Sequence, residues 1–116
     1  MITDFTGLKW KNRVIIVDNV QNDGDVLTIF ENRTSEIKDR DIVWFMFKGD
    51  STFTNYTGEL SEGLLTHTRE HYGHGPDQVV LIGKDGGVKL RLDRADLKVI
   101  FLKIDAMPMR QSEMRN

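Results

Sequence analysis

Two short apolar stretches on either side of a polar turn form the clearest hydrophobic pattern in the chain, over residues 78–92. Residues 79–82 are an unbroken apolar run, which is typical of a strand covered on both faces. Residues 88–92 alternate apolar and basic side chains, which predicts a half-exposed strand at a sheet edge. Between them, the sequence KDGG at residues 84–87 suits a tight turn because Gly and Asp tolerate positive φ. We therefore predict a β-hairpin.

Apolar runs and helical spacing predict the other regular elements. Residues 14–17 and 42–47 are unbroken apolar runs, and each predicts a buried strand. Apolar side chains recur at helical spacing in three more stretches, so we predict helices over residues 24–36, 60–72 and 93–105. The predicted order of elements is βαβαββα.

This order predicts the fold. A right-handed crossover makes the first two strands parallel, and the closing hairpin makes the third strand run against them. The order resembles an α/β thioredoxin-like three-layer sandwich, with a four-stranded mixed sheet and a C-terminal hairpin and helix. We expect 116 residues to form one domain, with a core over about residues 8–105 and a C-terminal extension over residues 106–116. Pro108 suits the first position of a helical turn in that extension.

Two segments outside these elements also carry predictions. Phe5, Leu8 and Trp10 lie in the lead-in to the first strand, and we expect them to pack over an edge of the core. Residues 48–58 are rich in Ser, Thr, Asn and Gly and form the longest candidate loop. Loops at the ends of strands commonly carry functional sites.

The chain has no cysteine, which excludes a disulfide, a thiolate nucleophile, cysteine-ligated zinc and thiol peroxidase chemistry. Its 39% apolar and 29% charged residues are typical of a globular domain. No apolar run approaches the roughly 20 residues of a membrane span, and the first residues lack the features of a secretory signal. We expect no membrane partner. We also expect a cytoplasmic location for the chain as given, or a periplasmic or secreted one if a signal peptide was removed.

The net charge of −2 conceals an asymmetry between the two parts of the chain. Residues 1–77 carry 8 basic and 13 acidic side chains, whereas residues 78–116 carry 8 and 5. This asymmetry is far weaker than the basic face of a nucleic-acid-binding protein. We therefore expect no nucleic-acid partner. The charge distribution suits the orientation of a partner, which we expect to be a protein.

Five stretches of the chain are distinctive when taken together. They are Lys9-Trp10-Lys11-Asn12-Arg13, Asp39-Arg40-Asp41, Lys48-Gly49-Asp50, VLIGKDGGVK at residues 80–89 and IDAMPMRQSEM at residues 104–114. Together they resemble the peroxiredoxin-like P-DUDES domain, a family of uncharacterised function that occurs as short bacterial proteins and within vertebrate sushi-repeat and matrix-associated proteins. The resemblance covers about residues 8–114 and implies a thioredoxin-like fold, with extracellular adhesion or matrix roles for the vertebrate relatives and no established enzymatic activity.

The resemblance to thioredoxins extends to the architecture and not to the redox chemistry. Thioredoxins place a Cys-x-x-Cys motif where the first strand leads into the first helix, whose N-terminus stabilises a thiolate. Here that region reads Asn22-Asp23-Gly24-Asp25-Val26, and its acidic side chains oppose thiolate formation. Pro76 lies near the position of the thioredoxin cis-proline but one or two residues early, so we assign no cis bond.

The three histidines of the chain, His67, His71 and His74, lie within eight positions of one another. His67 and His71 are i and i+4 on the second predicted helix, which is a metal-binding spacing, and His74 follows as a possible third ligand. The alternative is a solvated helix end, where histidine interacts favourably with the helix dipole.

Other candidate groups have structural interpretations. The KDGG turn closes a hairpin and lacks the pattern of a phosphate loop, although Lys84 has the reach to meet an acidic partner. Asp39 and Asp41 lie about 20 Å along the second strand from Asp50, so the three carboxylates cannot form a single site. We expect Arg40 to pair locally with an aspartate. The methionines of the extension either face a partner or cover the core; they are Met107, Met109 and Met114.

We assign no catalytic, cofactor-binding or metal residue and no cofactor. The leading hypothesis is a non-catalytic thioredoxin-like binding or protein-interaction module, not a thiol-dependent oxidoreductase. One alternative is a cysteine-free metal-dependent enzyme that uses His67, His71 and His74. The other is a structural subunit that self-associates through the charged edge strand or the methionine-rich extension.

Overall fold

The computed structural model of the protein describes residues 1–20, 23–73 and 78–114. Five strands and five α-helices follow a short 3-10 helix, Thr6–Leu8, in these residues. Within the described ranges, no helix is long and apolar enough to cross a membrane. In chain order the elements are β1 (Arg13–Asp18), α1 (Asp23–Asn32), α2 (Thr34–Asp39), β2 (Ile42–Lys48), β3 (Ser51–Thr54), α3 (Leu64–Tyr72), β4 (Val79–Ile82), β5 (Val88–Leu92), α4 (Leu97–Asp105) and α5 (Pro108–Met114).

The strands form one mixed sheet in the order β3-β2-β1-β4-β5. β1 runs parallel to β2, with Ile15 opposite Trp44, and antiparallel to β4. β4 and β5 form the predicted hairpin, whose turn contains Gly86 at a φ of +85°. The parallel first pair, the reversed third strand and the edge position of β5 are confirmed.

The prediction of four strands is wrong, because a fifth strand, β3, forms within the predicted loop over residues 48–58. Gly49, at a φ of +56°, allows the chain to reverse directly after β2. β3 then pairs antiparallel with β2, with Phe53 opposite Met46. A four-residue edge strand of mostly polar side chains has no apolar run to reveal it.

The helix boundaries also differ from the prediction. The helix predicted over residues 24–36 is two helices that break at Arg33, where the Thr34 hydroxyl donates to the Glu31 carbonyl at 2.7 Å. Such a bond competes with the regular helical pattern. The later helices begin at residues 64 and 97, after the predicted starts at 60 and 93. Asp96 caps the helix that begins at residue 97 by accepting from the backbone N–H of Val99 at 3.2 Å.

Each face of the sheet covers a separate core. Trp44 packs with α1, α2 and α4, whereas Phe45 packs on the opposite face with α3 and the N-terminal segment. Neighbouring side chains of a strand point to opposite faces of the sheet, so β2 contributes to both cores. Phe5 and Leu8 are buried as expected. The expectation for Trp10 is wrong: its φ of +70° turns the chain, and the side chain is 62% exposed.

The C-terminal extension folds back over the start of the first two strands and brings basic and acidic side chains together there. Pro108 begins α5 as predicted, and Arg110 is buried. Met107 packs against the core, whereas Met109 and Met114 are exposed. The resulting ionic cluster consists of Arg13, Arg40, Lys84 and Arg110 with Asp39, Asp41, Asp105 and Glu113.

Two predictions about charged side chains concern this cluster. Lys84 does meet acidic partners, Asp41 at 2.8 Å and Glu113 at 2.9 Å. The prediction that Arg40 pairs locally is wrong, because its guanidinium donates twice to Asp105, 65 residues further along the chain, at 3.0 and 2.8 Å. α4 brings Asp105 to this end of the sheet, which local sequence does not reveal.

Candidate functional site

The end of β1 is the place where a thioredoxin-like domain would carry its reactive thiol. Gly24 and Val26 lie in the first turns of α1, with Val26 buried and Asp25 exposed. Asn22 and Pro76 lie outside the described residues. The last residue of β1 is Asp18, whose carboxylate faces Arg69 of α3.

Asp18 and Arg69 form a bidentate ion pair at the carboxyl end of the parallel strands. Arg69 Nη2 donates to Asp18 Oδ1 at 2.9 Å, and Arg69 Nε donates to Oδ2 at 3.0 Å. These hydrogen bonds raise the pKa of Arg69, against the effect of its burial. Arg69 Nη2 also donates to the Gly49 carbonyl at 3.2 Å, so α3 is tied to the ends of both β1 and β2. The pair borders a cavity of about 190 Å³.

The predicted histidine pair lies on the same helix, beside a second cavity. The ring centroids of His67 and His71 are 4.1 Å apart, and the rings meet edge to face. His74, the third candidate, lies outside the described residues. No group of three His, Cys, Asp or Glu side chains in the described part of the chain is arranged to hold a metal ion.

The cavity beside the histidines, which we call the α3 cavity, has a volume of about 350 Å³. Burial raises the pKa of Tyr72 on its wall. The carboxylate of Asp4 on its rim accepts from the backbone N–H of Thr6 at 2.9 Å. This hydrogen bond lowers the pKa of Asp4, and the nearby His67 and His71 also contribute. Further lining residues are Phe5, Leu8, Lys9, Asn12, Val14, Ile82, Gly83, Asp85 and Gly86.

A larger concave surface, a groove of about 710 Å³, lies on the other face of the sheet. Its lining includes the buried side chain of Phe101, and its walls carry Ile29 of α1 and Leu102 of α4, which are 43% and 65% exposed. We call it the α1–α4 groove. Its remaining lining residues are Arg33, Glu36, Arg40, Arg94, Ala95, Asp96, Leu97, Lys98 and Asp105.

The acidic side chains of the α1–α4 groove are already engaged. Glu36 pairs with Arg33 at 2.8 Å, Asp105 is held by two arginines, and Asp96 caps α4. Hydrogen bonds from Arg40 lower the pKa of Asp105 further than its burial raises it.

The same groove also carries two cationic side chains, Arg94 and Lys98, which in the described part of the chain are not engaged as its acidic side chains are. Neither makes an ion pair or a side-chain hydrogen bond within residues 1–20, 23–73 and 78–114. The groove therefore combines exposed apolar side chains with a local excess of positive charge.

Sequence reasoning missed this groove, because the pattern of α4 alone does not distinguish a groove wall from ordinary exposed apolar residues. Helical spacing over residues 93–105 predicts one buried stripe, which consists of Ala95, Leu97, Ile100, Phe101 and Ile104. Val99 and Leu102 are apolar residues outside that stripe, and both are exposed. Single exposed apolar residues are ordinary on protein surfaces, so only the position of α1 beside α4 identifies Leu102 as one wall of a groove.

Comparisons with known proteins give a family without an assigned activity. A search of curated proteins and of solved structures finds no match to the chain. The family model described as Domain of unknown function (DUF4174) matches residues 4–113, which is nearly the whole chain. The chain therefore belongs to the DUF4174 family.

Proposed function

We propose that the protein is a non-catalytic, thioredoxin-like domain of the P-DUDES type that binds a protein partner. The order of β1, α1, β2, α3, β4, β5 and α4 supports this fold, as does the parallel β1–β2 pair followed by an antiparallel hairpin. In this interpretation α2, β3 and α5 are additions to the thioredoxin-like core.

The end of β1 supports binding over catalysis. A nucleophile at this place needs an exposed, activated side chain. Asp18 is instead held by three hydrogen bonds from Arg69. Hydrogen bonds from one guanidinium to both carboxylate oxygens fix the orientation of Asp18, so the pair is suited to fixing α3 on the sheet.

The observation that carries the proposal is the α1–α4 groove. Protein-binding surfaces combine an apolar centre with polar or charged residues at the rim. Leu102 and Ile29 supply exposed apolar area, and Arg94 and Lys98 supply positive charge. Lys98 and Leu102 are i and i+4 on α4, so both face the same side of the helix.

These features define the partner's chemistry. The groove is complementary to an acidic segment that carries apolar side chains, such as the amphipathic helix of a partner protein laid along α4. Asp or Glu of that segment would pair with Arg94 and Lys98, while its apolar side chains would cover Leu102 and Ile29. A basic segment would be repelled by the same two cations.

Selection from a random peptide-display library tests this assignment and does not require the natural partner to be identified first. The library is panned on wild-type protein after depletion on Leu102→Asp, and the affinities of enriched peptides are measured by calorimetry. We expect enriched sequences that combine acidic and large apolar residues. We expect their affinity to fall by at least about tenfold in Leu102→Asp, as for a residue at the centre of an interface, and in Arg94→Glu/Lys98→Glu.

Val88→Asp is the matched control, since Val88 is an exposed apolar residue on β5 that does not line the groove. It should leave peptide affinity unchanged. Enrichment of basic or charge-free peptides, or equal losses in Val88→Asp and Leu102→Asp, would contradict the proposed partner chemistry.

A further inference from the structure

The surface of α3 places His67 and His71 side by side at the rim of the α3 cavity. Their spacing of four residues puts both side chains on one face of the helix, and the ring centroids lie 4.1 Å apart. His67 is half-buried and His71 is exposed, so the pair is open to solvent. Neither imidazole makes a hydrogen bond or ion pair with another described residue.

The separation of the rings suits joint coordination of one ion. Two imidazoles bound to a single metal at about 2.0–2.1 Å per bond have ring centroids about 5 Å apart when their angle at the metal is near tetrahedral. The observed 4.1 Å is about 1 Å shorter than that value, so both imidazoles would rotate about their side-chain bonds to seat on one ion.

One charged neighbour of the histidine pair favours a cation, although Lys9 lines the same cavity. The carboxylate of Asp4 lines the same cavity and contributes negative charge near both histidines. The ring of Tyr72 lies 6.2 Å from that of His71 and provides an apolar wall. Because the described part of the chain offers no ready set of three His, Cys, Asp or Glu ligands, water or an external ligand would fill the remaining positions.

We propose that His67 and His71 together bind one divalent transition-metal ion of the zinc type, with coordination positions left open toward the α3 cavity. Neutral imidazole is a preferred ligand for Zn²⁺, Cu²⁺ and Ni²⁺. Open positions are a feature of metal sites that bind a further ligand. The site lies on the opposite face of the sheet from the α1–α4 groove, so the inference does not depend on the proposed partner.

Calorimetric titration of chelator-treated full-length protein with Zn²⁺ tests the proposal. We expect one binding event in the wild type. His67→Ala and His71→Ala should each weaken it by roughly a hundredfold, because losing either ligand removes the advantage of chelation. Glu70→Gln is the matched control, since Glu70 is an exposed neighbour on the same helix, and it should bind Zn²⁺ with wild-type affinity.

A second measurement does not depend on the variants. In the wild-type protein, Zn²⁺ should shift the imidazole NMR resonances of His67 and His71 at the same stoichiometry as the calorimetric event. Far-UV circular dichroism confirms that each variant retains its helices. The two-histidine site would be overturned by wild-type Zn²⁺ affinity in either histidine variant. It would also be overturned if the ring resonances of either histidine failed to shift.

Discussion

The guanidinium of Arg13, at the start of β1, meets the carboxylate of Glu113, at the end of α5, through two hydrogen bonds of 3.1 Å. The two residues are 100 positions apart in the chain. Arg13 is only 1% exposed, and its Nε has no hydrogen-bond partner among the described residues. Glu113 is therefore the main compensation for a buried positive charge.

Glu113→Gln should lower the free energy of unfolding by roughly 2–4 kcal/mol, because it leaves the Arg13 charge buried without a carboxylate. Glu113 is itself partly exposed, which holds the effect below that of a fully buried pair. Urea denaturation followed by circular dichroism measures the change. Glu36→Gln in the exposed Arg33–Glu36 pair is the control and should cost under about 0.5 kcal/mol. Equal losses in the two variants would show that burial of Arg13 does not determine the cost.

The ionic cluster also predicts how stability depends on pH. Hydrogen bonds from Arg40 lower the pKa of Asp105. For Glu113, burial acts to raise the pKa, but hydrogen bonds from Arg13 and Lys84 outweigh it and lower the pKa. Since both carboxyls have a lower pKa in the folded state, the unfolded chain binds more protons in acid. Their stabilisation is complete above the unfolded pKa values of about 4 and is lost as the pH falls through the folded values.

The expected result is a free energy of unfolding that falls as the pH is lowered from about 5 to about 2. Asp105→Asn should flatten this acid limb as well as lower stability at neutral pH. Glu31→Gln, an exposed position on α1, should leave the slope unchanged. Urea denaturation at a series of pH values gives both curves. An unchanged slope in Asp105→Asn would argue against a contribution of this carboxyl to acid unfolding.

Elements with a strong local signature could be predicted from the sequence. The buried strands β1, β2 and β4 are unbroken apolar runs because both faces are covered, and the glycine-rich turn marks the hairpin. β3 was missed because its stability comes from hydrogen bonds to β2 and not from an apolar run. The break at Arg33 was missed because a side-chain bond from Thr34 interrupts an otherwise helical pattern.

The candidate sites were predictable to different degrees. The spacing of His67 and His71 alone predicts that they share a helix face, and the structure brings their rings together. The Asp18–Arg69 pair and the α1–α4 groove depend on contacts between elements far apart in the chain. Hydrophobic periodicity reports which face of an element is buried, but it does not report which two elements lie side by side.

Gly86 in the hairpin turn is a position where a side chain should be unfavourable, because its φ is +85°. Gly86→Ala should lower the free energy of unfolding by about 1–2 kcal/mol, the cost of placing an L-residue in this region. Gly24→Ala is the control: Gly24 lies in α1, and an added Cβ would meet no atom within 4 Å. That variant should be unchanged or more stable by up to about 1 kcal/mol. Equal stability of the two variants in urea denaturation would show that the positive φ of Gly86 does not disfavour a side chain there.

Leu102 and Ile100 are apolar neighbours on α4 with opposite environments, and this difference tests the α1–α4 groove as a surface. Ile100 is fully buried, whereas Leu102 is 65% exposed. Ile100→Ala should lower the free energy of unfolding by about 2–5 kcal/mol through the cavity it leaves. Leu102→Asp should change it by no more than about 0.5 kcal/mol, as expected for an exposed position. A loss in Leu102→Asp as large as that in Ile100→Ala would mean that Leu102 belongs to the core. The groove would then have no exposed apolar wall on α4 to offer a partner.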